Sequence, residues 1–390
     1  MFAADDVLFQ LESRLSPAQR DVRDRVRAWG RERVLPTINA AWEHAEPPLA
    51  LFRELASLGI VGGMLRDHGG AGLDALAWGL ARRELAAGDG SVATFYGVHS
   101  GLAMASIAAF GDLAQRAQWL PAMARCERLG AFALTEPEHG SDAGSLATVA
   151  TRDGDGWRLT GRKRWIGNAS SADLLVVWAR DDAGRFCGFV IEDPRAQPGI
   201  AIADLAGKVA KRAIANADVV LDRAYVPSTA RLAGVTGFAD LGRVLGPARY
   251  TIAWEAAGIA GACLDIALAH ARTRAQFGKP IGAFQLVQAR LAEMAGQVVQ
   301  AHLIGFELAR LVDAGTASLA AISLAKLVAT RHAREVAASA RELLGADGLL
   351  LERHVARLML DAEAALTYEG TAEVNALVVG RALTGISAFA

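Results

Sequence analysis

At 390 residues the chain has material for two or three domains with well-buried interiors. Its 41 Lys and Arg against 42 Asp and Glu leave a net charge of −1, without the positive field that nucleic acid demands. The hydrophobic fraction of 52% is high, yet no uncharged apolar run approaches bilayer-crossing length, so the excess points to an oligomer with buried subunit faces.

Ser16-Pro17-Ala18-Gln19 marks a helix start with a capping serine, a proline at the first helical position and a glutamine able to reach back, predicting a helix to about Arg33. Further helical periodicity covers about 49–59, 74–87, 91–109 and 112–126, broken by Gly62-Gly63 and Gly69-Gly70-Ala71-Gly72. From about Leu129 to Leu232 the texture becomes short β-forming runs: 157–160, 174–178, 188–191 and 218–221. Turns such as Asp153-Gly154-Asp155-Gly156 and Asp181-Asp182-Ala183-Gly184 separate them. With no connecting helices, this reads as an antiparallel β-barrel or sandwich. After Arg243 the pattern is helical again, near 244–273, 283–313, 317–344, 352–364 and 372–384, as an antiparallel bundle requires. The reading is therefore α+β, with an α-helical domain over 1–128, a middle β-domain over 129–235 and an α-helical bundle over 236–390.

Several generic motifs fail on context. No GxGxxG opens a helix after a strand, and Gly156 to Gly161 lacks the Lys-Ser/Thr ending of a phosphate loop. Ser323-Leu324-Ala325-Lys326 matches a serine-acylase spacing but has no partner motif, so it is taken as part of an ordinary long helix. Cys126, Cys187 and Cys263 are too far apart for a CxxC site, and the eight histidines show no metal-ligand spacing, so no metal is expected. The acidic start at Asp5-Asp6 carries no leader pattern, which predicts a cytoplasmic protein.

Four separated segments each resemble a signature of the acyl-CoA dehydrogenases. Phe132 to Asp142, with Thr135-Glu136-Pro137 and Gly140-Ser141-Asp142, is similar to the TEPxxGSD loop; Arg164-Trp165-Ile166-Gly167-Asn168 is similar to the WITN strand. Arg274-Ala275-Gln276-Phe277-Gly278-Lys279-Pro280-Ile281, continuing to Phe284-Gln285, resembles the RxxFGxPIxxFQ junction. Leu344-Gly345-Ala346-Asp347-Gly348 resembles the LGGNG turn, and Tyr368-Glu369-Gly370-Thr371-Ala372-Glu373 follows it.

The resemblance implies the family's fold, with a four-helix bundle as the C-terminal domain, and an FAD enzyme of fatty acid metabolism acting on acyl-CoA thioesters. By the same resemblance Phe132, Leu134, Thr135, Gly140, Ser141, Trp165, Ile166 and Gly167 would meet the flavin. Arg274, Phe277, Phe284, Gln285, Glu342, Gly345, Thr371 and Glu373 would hold the FAD, Arg274 and Gln285 reaching that of a neighbouring subunit in a homotetramer built as a dimer of dimers. Gly167 departs from the usual threonine, and Ala346-Asp347 from the usual Gly-Asn.

Glu369 is the catalytic base that the resemblance implies. An acid between an aromatic and a glycine suits an apolar cleft, where burial raises its pKa. Some relatives carry the base just before an arginine on another helix, but here that position is Ala248, before Arg249. Ser141, Arg249, Tyr368 and Gly370 would face the acyl-CoA, with Val92, Phe95, Tyr96 and Trp254 shaping the acyl pocket.

Ala248-Arg249-Tyr250-Thr251-Ile252-Ala253-Trp254 and the ending from Gly380 to Phe389 are most similar to the glutaryl-CoA dehydrogenase branch. Its substrate-carboxylate arginine falls on Ala93 and a neighbouring glutamate on Ala86, so a monocarboxylic acyl-CoA is expected. Electron-transfer flavoprotein is the expected acceptor. An oxidase, a glutaryl-CoA enzyme with an altered carboxylate site, and a non-catalytic flavoprotein-like regulator are the rival readings.

Overall fold

Ser16 caps α1 (Pro17–Trp29) through both halves of a capping box: its hydroxyl accepts from the Gln19 N–H at 3.2 Å, and the Gln19 side chain accepts from the Ser16 N–H at 2.9 Å. The computed structural model describes residues 8–388; the acidic start and Phe389 lie outside the described residues. The predicted continuation of α1 toward Arg33 is a wider π turn running to Val34. The short α2 (Ile38–His44) and α3 (Leu49–Glu54) lead to α4 (Ala75–Gly88), capped by Asp74. Asp89 then caps α5 (Gly90–Tyr96), which passes through a π-helical stretch into α6 (Ala105–Phe110); α7 (Leu113–Ala124) closes the first helical region.

The sheet contains β1 (Gly130–Ala133), β2 (Val149–Asp153), β3 (Gly156–Gly167), β4 (Leu174–Asp181), β5 (Phe186–Glu192), β6 (Ile200–Asp204) and β7 (Asn216–Pro227), in the order β1-β4-β2-β3-β7-β6 with β5 also on β4. The two Asp-Gly turns connect β2 to β3 and β4 to β5. The antiparallel expectation holds for β2–β3, β3–β7, β4–β5 and β6–β7, but β1 and the start of β2 both pair parallel to β4. The sheet is therefore mixed. The region before β2 supplies a loop instead of a hairpin, and a strand entered through a long connection is free to run parallel.

The second helical region contains α8 (Gly242–Thr273), the two-residue strands β8 (Ala275–Gln276) and β9 (Lys279–Pro280), then α9 (Gln285–Asp313), α10 (Leu319–Leu343), α11 (Val355–Thr367) and α12 (Ala372–Thr384). α8 packs on α9, α10 and α11, while α12 packs on α10.

One apolar core runs through both helical regions and onto one sheet face, taking in Phe52, Phe95, Trp178, Trp254, Val298 and Ala333. The opposite sheet face has its own core, with Leu175, Val177 and Phe189. β4 serves both because alternate side chains point to opposite faces. α4 and α8 approach so closely that a Cβ on Gly258 would collide with the carbonyl of Arg83. That contact locks the first helical region onto the bundle and positions the site between them.

One expectation needs correcting. Residues 90–110 form an uncharged stretch of 21 residues, and 90–110 and the charge-bearing 238–273 are both helical stretches long and apolar enough to cross a bilayer. However, 67% and 72% of their most apolar windows lie buried inside the protein, as core helices do.

Candidate active site

Tyr368-Glu369-Gly370-Thr371 forms the corner between α11 and α12. Thr371 caps α12, and both Glu369 and Gly370 take left-handed backbone conformations, at φ 55° and 86°. For a glutamate that conformation costs about 1–2 kcal/mol, so the surroundings must hold it. Arg249 Nε donates to the Glu369 carbonyl at 2.8 Å. Lys326 Nζ donates to the carbonyls of both flanking residues, at 2.7 Å to Tyr368 and also to Gly370. Asn375 Nδ2 adds bonds to the carbonyls of Gly370 at 2.8 Å and Thr371 at 2.9 Å.

These braces also set the acid's chemistry. Burial pushes the Glu369 pKa above the usual 4.5, against the lowering pull of Arg249, Lys326 and Arg82. Burial likewise brings the Lys326 ammonium down to about 8. The result is a carboxyl group in a desolvated corner, more basic than one in water, with two cations beside it that pull the other way.

Lys326 belongs to the Ser323-to-Lys326 run that the sequence reading treated as ordinary helix. At i and i+3 the two side chains share one face of α10, where Ser323 Oγ accepts from Arg249 Nη1 at 3.4 Å. The run is part of the site, with a bracing role. Its partners are backbone carbonyls, which no side-chain motif records.

A second missed group lies behind Tyr368. Glu255, wholly buried on α8, accepts from Arg82 of α4 (Nε at 3.0 Å, and Nη2), from Lys211 Nζ at 2.6 Å and from the Tyr368 hydroxyl. Burial alone would raise the Glu255 pKa, but Lys211 and Arg82 outweigh it and bring it down to about 2. The available signal was Arg82 and Glu255 standing inside otherwise apolar helical runs: a charge that must be buried must also be paired.

The flavin-type segments also meet. The Arg164 N–H donates to the Thr135 carbonyl at 2.9 Å, and Lys163 Nζ donates to the Leu134 carbonyl at 3.2 Å and to Glu136 at 2.8 Å. A bulge in the β3–β7 pairing between Lys163 and Ile166 turns Trp165 to φ 63° and leaves it 55% exposed. Phe132, Leu134 and Ile166 are buried, Thr135 is half-buried, and Gly140 and Ser141 are exposed. A flat indole held out of the surface beside a short run of irregular backbone fits a planar aromatic cofactor. Gly167 is buried, and a Cβ there would stand 3.3 Å from Val98 Cγ2.

The remaining cofactor candidates lie elsewhere. Arg274 caps the far end of α8, about 37 Å from Arg249 at a helical rise of about 1.5 Å per residue. Phe277, at 93% exposure, and Gln285, Glu342 and Gly345 are exposed, while Phe284 is half-buried with the Lys279 ammonium 4.4 Å from its ring centroid. Within one chain this group does not close on the Glu369 corner. Thr371 and Glu373 belong to the start of α12, next to Glu369.

The expected acyl-pocket residues lie in the interior. Val92, Phe95, Tyr96 and Trp254 are at most 1% exposed. Phe95 stacks on Phe52 at 4.0 Å, the Tyr96 hydroxyl donates to the Ile60 carbonyl at 2.8 Å, and Trp254 lies against Gly79 and Gly305. All four are packed in the interior with the same enclosure as Arg82. An apolar sequence run does not distinguish a pocket wall from packing.

Family comparisons agree along the length of the chain. The N-terminal domain of acyl-CoA dehydrogenases matches residues 16–127, the middle domain 131–224 and the C-terminal domain 236–384. The chain belongs to the acyl-CoA dehydrogenase family. It is 34% identical to the mitochondrial short-chain specific acyl-CoA dehydrogenase of Bos taurus over 338 residues, 85% of this chain and 82% of that protein. A probable acyl-CoA dehydrogenase of Bacillus subtilis is 32% identical over 374 residues, covering 95% and 98%. A solved glutaryl-CoA dehydrogenase from Mycobacterium smegmatis superposes with a TM-score of 0.96 at 43% identity, covering 99% of each chain. Another from that organism, in complex with FADH2, gives 0.95 at 36% identity over 98% of each. This acyl-CoA dehydrogenase has the family fold, is an oxidoreductase acting on CH–CH bonds, and uses FAD.

Proposed function

We propose that the enzyme converts a monocarboxylic acyl-CoA to its trans-2-enoyl-CoA, with Glu369 removing the α-proton. The observation that carries this is the braced, desolvated Glu369 carboxylate at a left-handed corner. The alternative base position, Ala248, holds a methyl group that is 4% exposed.

The α-proton of a thioester is weakly acidic, and a carboxylate with a raised pKa is better matched to it than one in water. Arg249 and Lys326 hold the backbone of the base through three carbonyls, so the carboxylate need not search for its geometry when substrate arrives. Tyr368, tied to Glu255, fixes the residue on the other side. Phe132, Leu134, Thr135 and Trp165 would hold the flavin ring, and FAD supplies the acceptor for the β-hydride. The exposed Arg274–Gln285 group would grip the FAD of a second copy in a homotetramer, and electron-transfer flavoprotein would then take the electrons. Support for the oligomer comes from Leu286 at 85%, Leu383 at 81% and Ile386 at 74% exposure around the same bundle.

Gly167 favours the oxidase as a second reading, since no side chain stands there, but Val98 already crowds that position. Anaerobic titration of the FAD-loaded protein with short straight-chain acyl-CoAs tests the proposal. Bleaching of the flavin absorbance is expected, with little peroxide formed in air. Absence of bleaching across chain lengths contradicts it, and rapid peroxide formation favours the oxidase.

A further inference from the structure

Arg82 lies on α4, one helical turn before Ala86, and its side chain is 2% exposed. Its Nε and Nη2 both donate to Glu255 Oε2, whereas Nη1 is buried with no hydrogen-bond partner among the described residues. A buried N–H of a charged group left unsatisfied is costly, and an acceptor brought to it recovers that cost.

Its place gives the use. Nη1 lies over Gly97, where a Cβ would collide with it. The next residue, Val98, brings Cγ2 to 3.3 Å from where a Cβ on Gly167 would stand, at the end of the Trp165 strand. On its other side Arg82 connects through Glu255 to the Tyr368 hydroxyl, and Tyr368 precedes the base. The N–H thus stands between the Glu369 corner and the flavin-type strand, the two groups between which the acyl chain of the proposed reaction would run.

Charge decides what it receives. Arg82 and Lys211 share the buried Glu255 carboxylate, and Asp361 accepts the Lys211 backbone N–H at 2.6 Å. A substrate carboxylate at Arg82 would stand within reach of Glu255 and be repelled by it. A neutral acceptor oxygen satisfies the N–H without that cost.

Resting on the dehydrogenase reading above, we propose that Arg82 Nη1 selects acyl-CoAs whose acyl chain carries a neutral acceptor oxygen, a hydroxyl or a carbonyl, beyond the β-carbon. Such a site discriminates because the substrate lacking the oxygen leaves the N–H unpaired.

The test is anaerobic flavin bleaching by three acyl-CoAs of equal length: unsubstituted, hydroxyl- or oxo-substituted near the chain end, and carboxylate-ended. The neutral oxygenated compound is expected to half-saturate at about tenfold lower concentration than the unsubstituted one. Arg82→Lys, which keeps a cation for Glu255 but loses the fork, should bring that ratio to about one. Gly97→Ala, whose methyl would displace Nη1, is the second variant should Arg82→Lys fail to retain FAD, and the same collapse is expected. Equal half-saturation in the wild type, preference for the carboxylate, or a ratio that survives in the variant overturns the proposal. Bleaching by the unsubstituted compound alone overturns only this inference, whereas no bleaching by any of the three overturns the dehydrogenase reading as well.

Discussion

Arg249 and Arg274 stand on one helix, α8, in opposite surroundings. Arg249 is enclosed, bonded to the Glu369 carbonyl and to Ser323, in a corner completed by Lys326 and Asn375 from the same chain. Arg274 stands exposed beside Phe277, Gln285 and Glu342. The proposed chemistry of proton removal would be built within one chain, where burial can tune a pKa. The proposed cofactor grip lies on an outer face, where a second copy would use it.

Breaking the enclosed end should have the largest effect. Glu369→Gln keeps the backbone braces but removes the base, and is expected to slow turnover by about 10²–10⁴-fold while FAD remains bound, measured by steady-state rate and flavin absorbance. Breaking the open end should act on binding instead. Arg274→Ala should weaken FAD by about 1.5–3 kcal/mol and lower the oligomer fraction, read by flavin titration and sedimentation, without moving the pH profile.

The pH profile sharpens the contrast. Because burial raises the Glu369 pKa, the acid limb of kcat/KM should lie above pH 4.5, activity falling as the carboxylate protonates. Lys326→Met removes a cation that favours the ionised form, so the limb should move to higher pH. A limb that stays in place would show that Lys326 braces the backbone without tuning the acid. The smallest effect belongs to the scaffold: Gly258→Ala forces a methyl against the Arg83 carbonyl and should destabilise by about 1–3 kcal/mol, seen as a lower denaturation midpoint with little change in the profile.

How much of this was legible in the sequence follows the same division. Glu369, Thr135, Trp165 and Arg274 stand in contiguous segments, and local pattern suffices to find them. The order of helices and strands was also readable, because periodicity and turn residues are local. Short β1 and β6, and the parallel pairing of β1 with β4, depend on tertiary partners. Glu255, Arg82 and Lys211 come from three distant elements and meet only in the fold. Lys326 acts on carbonyls, so its spacing to Ser323 looked like chance. Phe95 and Trp254 show the converse, since apolar composition alone cannot separate a pocket wall from packed interior.

The central claim is that Glu369 takes the α-proton, and hydrogen exchange at the substrate α-carbon measures that step apart from hydride transfer. With FAD-loaded protein and an acyl-CoA held anaerobically in D2O, the wild type should exchange α-hydrogen for deuterium, followed by NMR, while Glu369→Gln should not. Exchange in Glu369→Gln at the wild-type rate, with FAD still bound, would contradict the account.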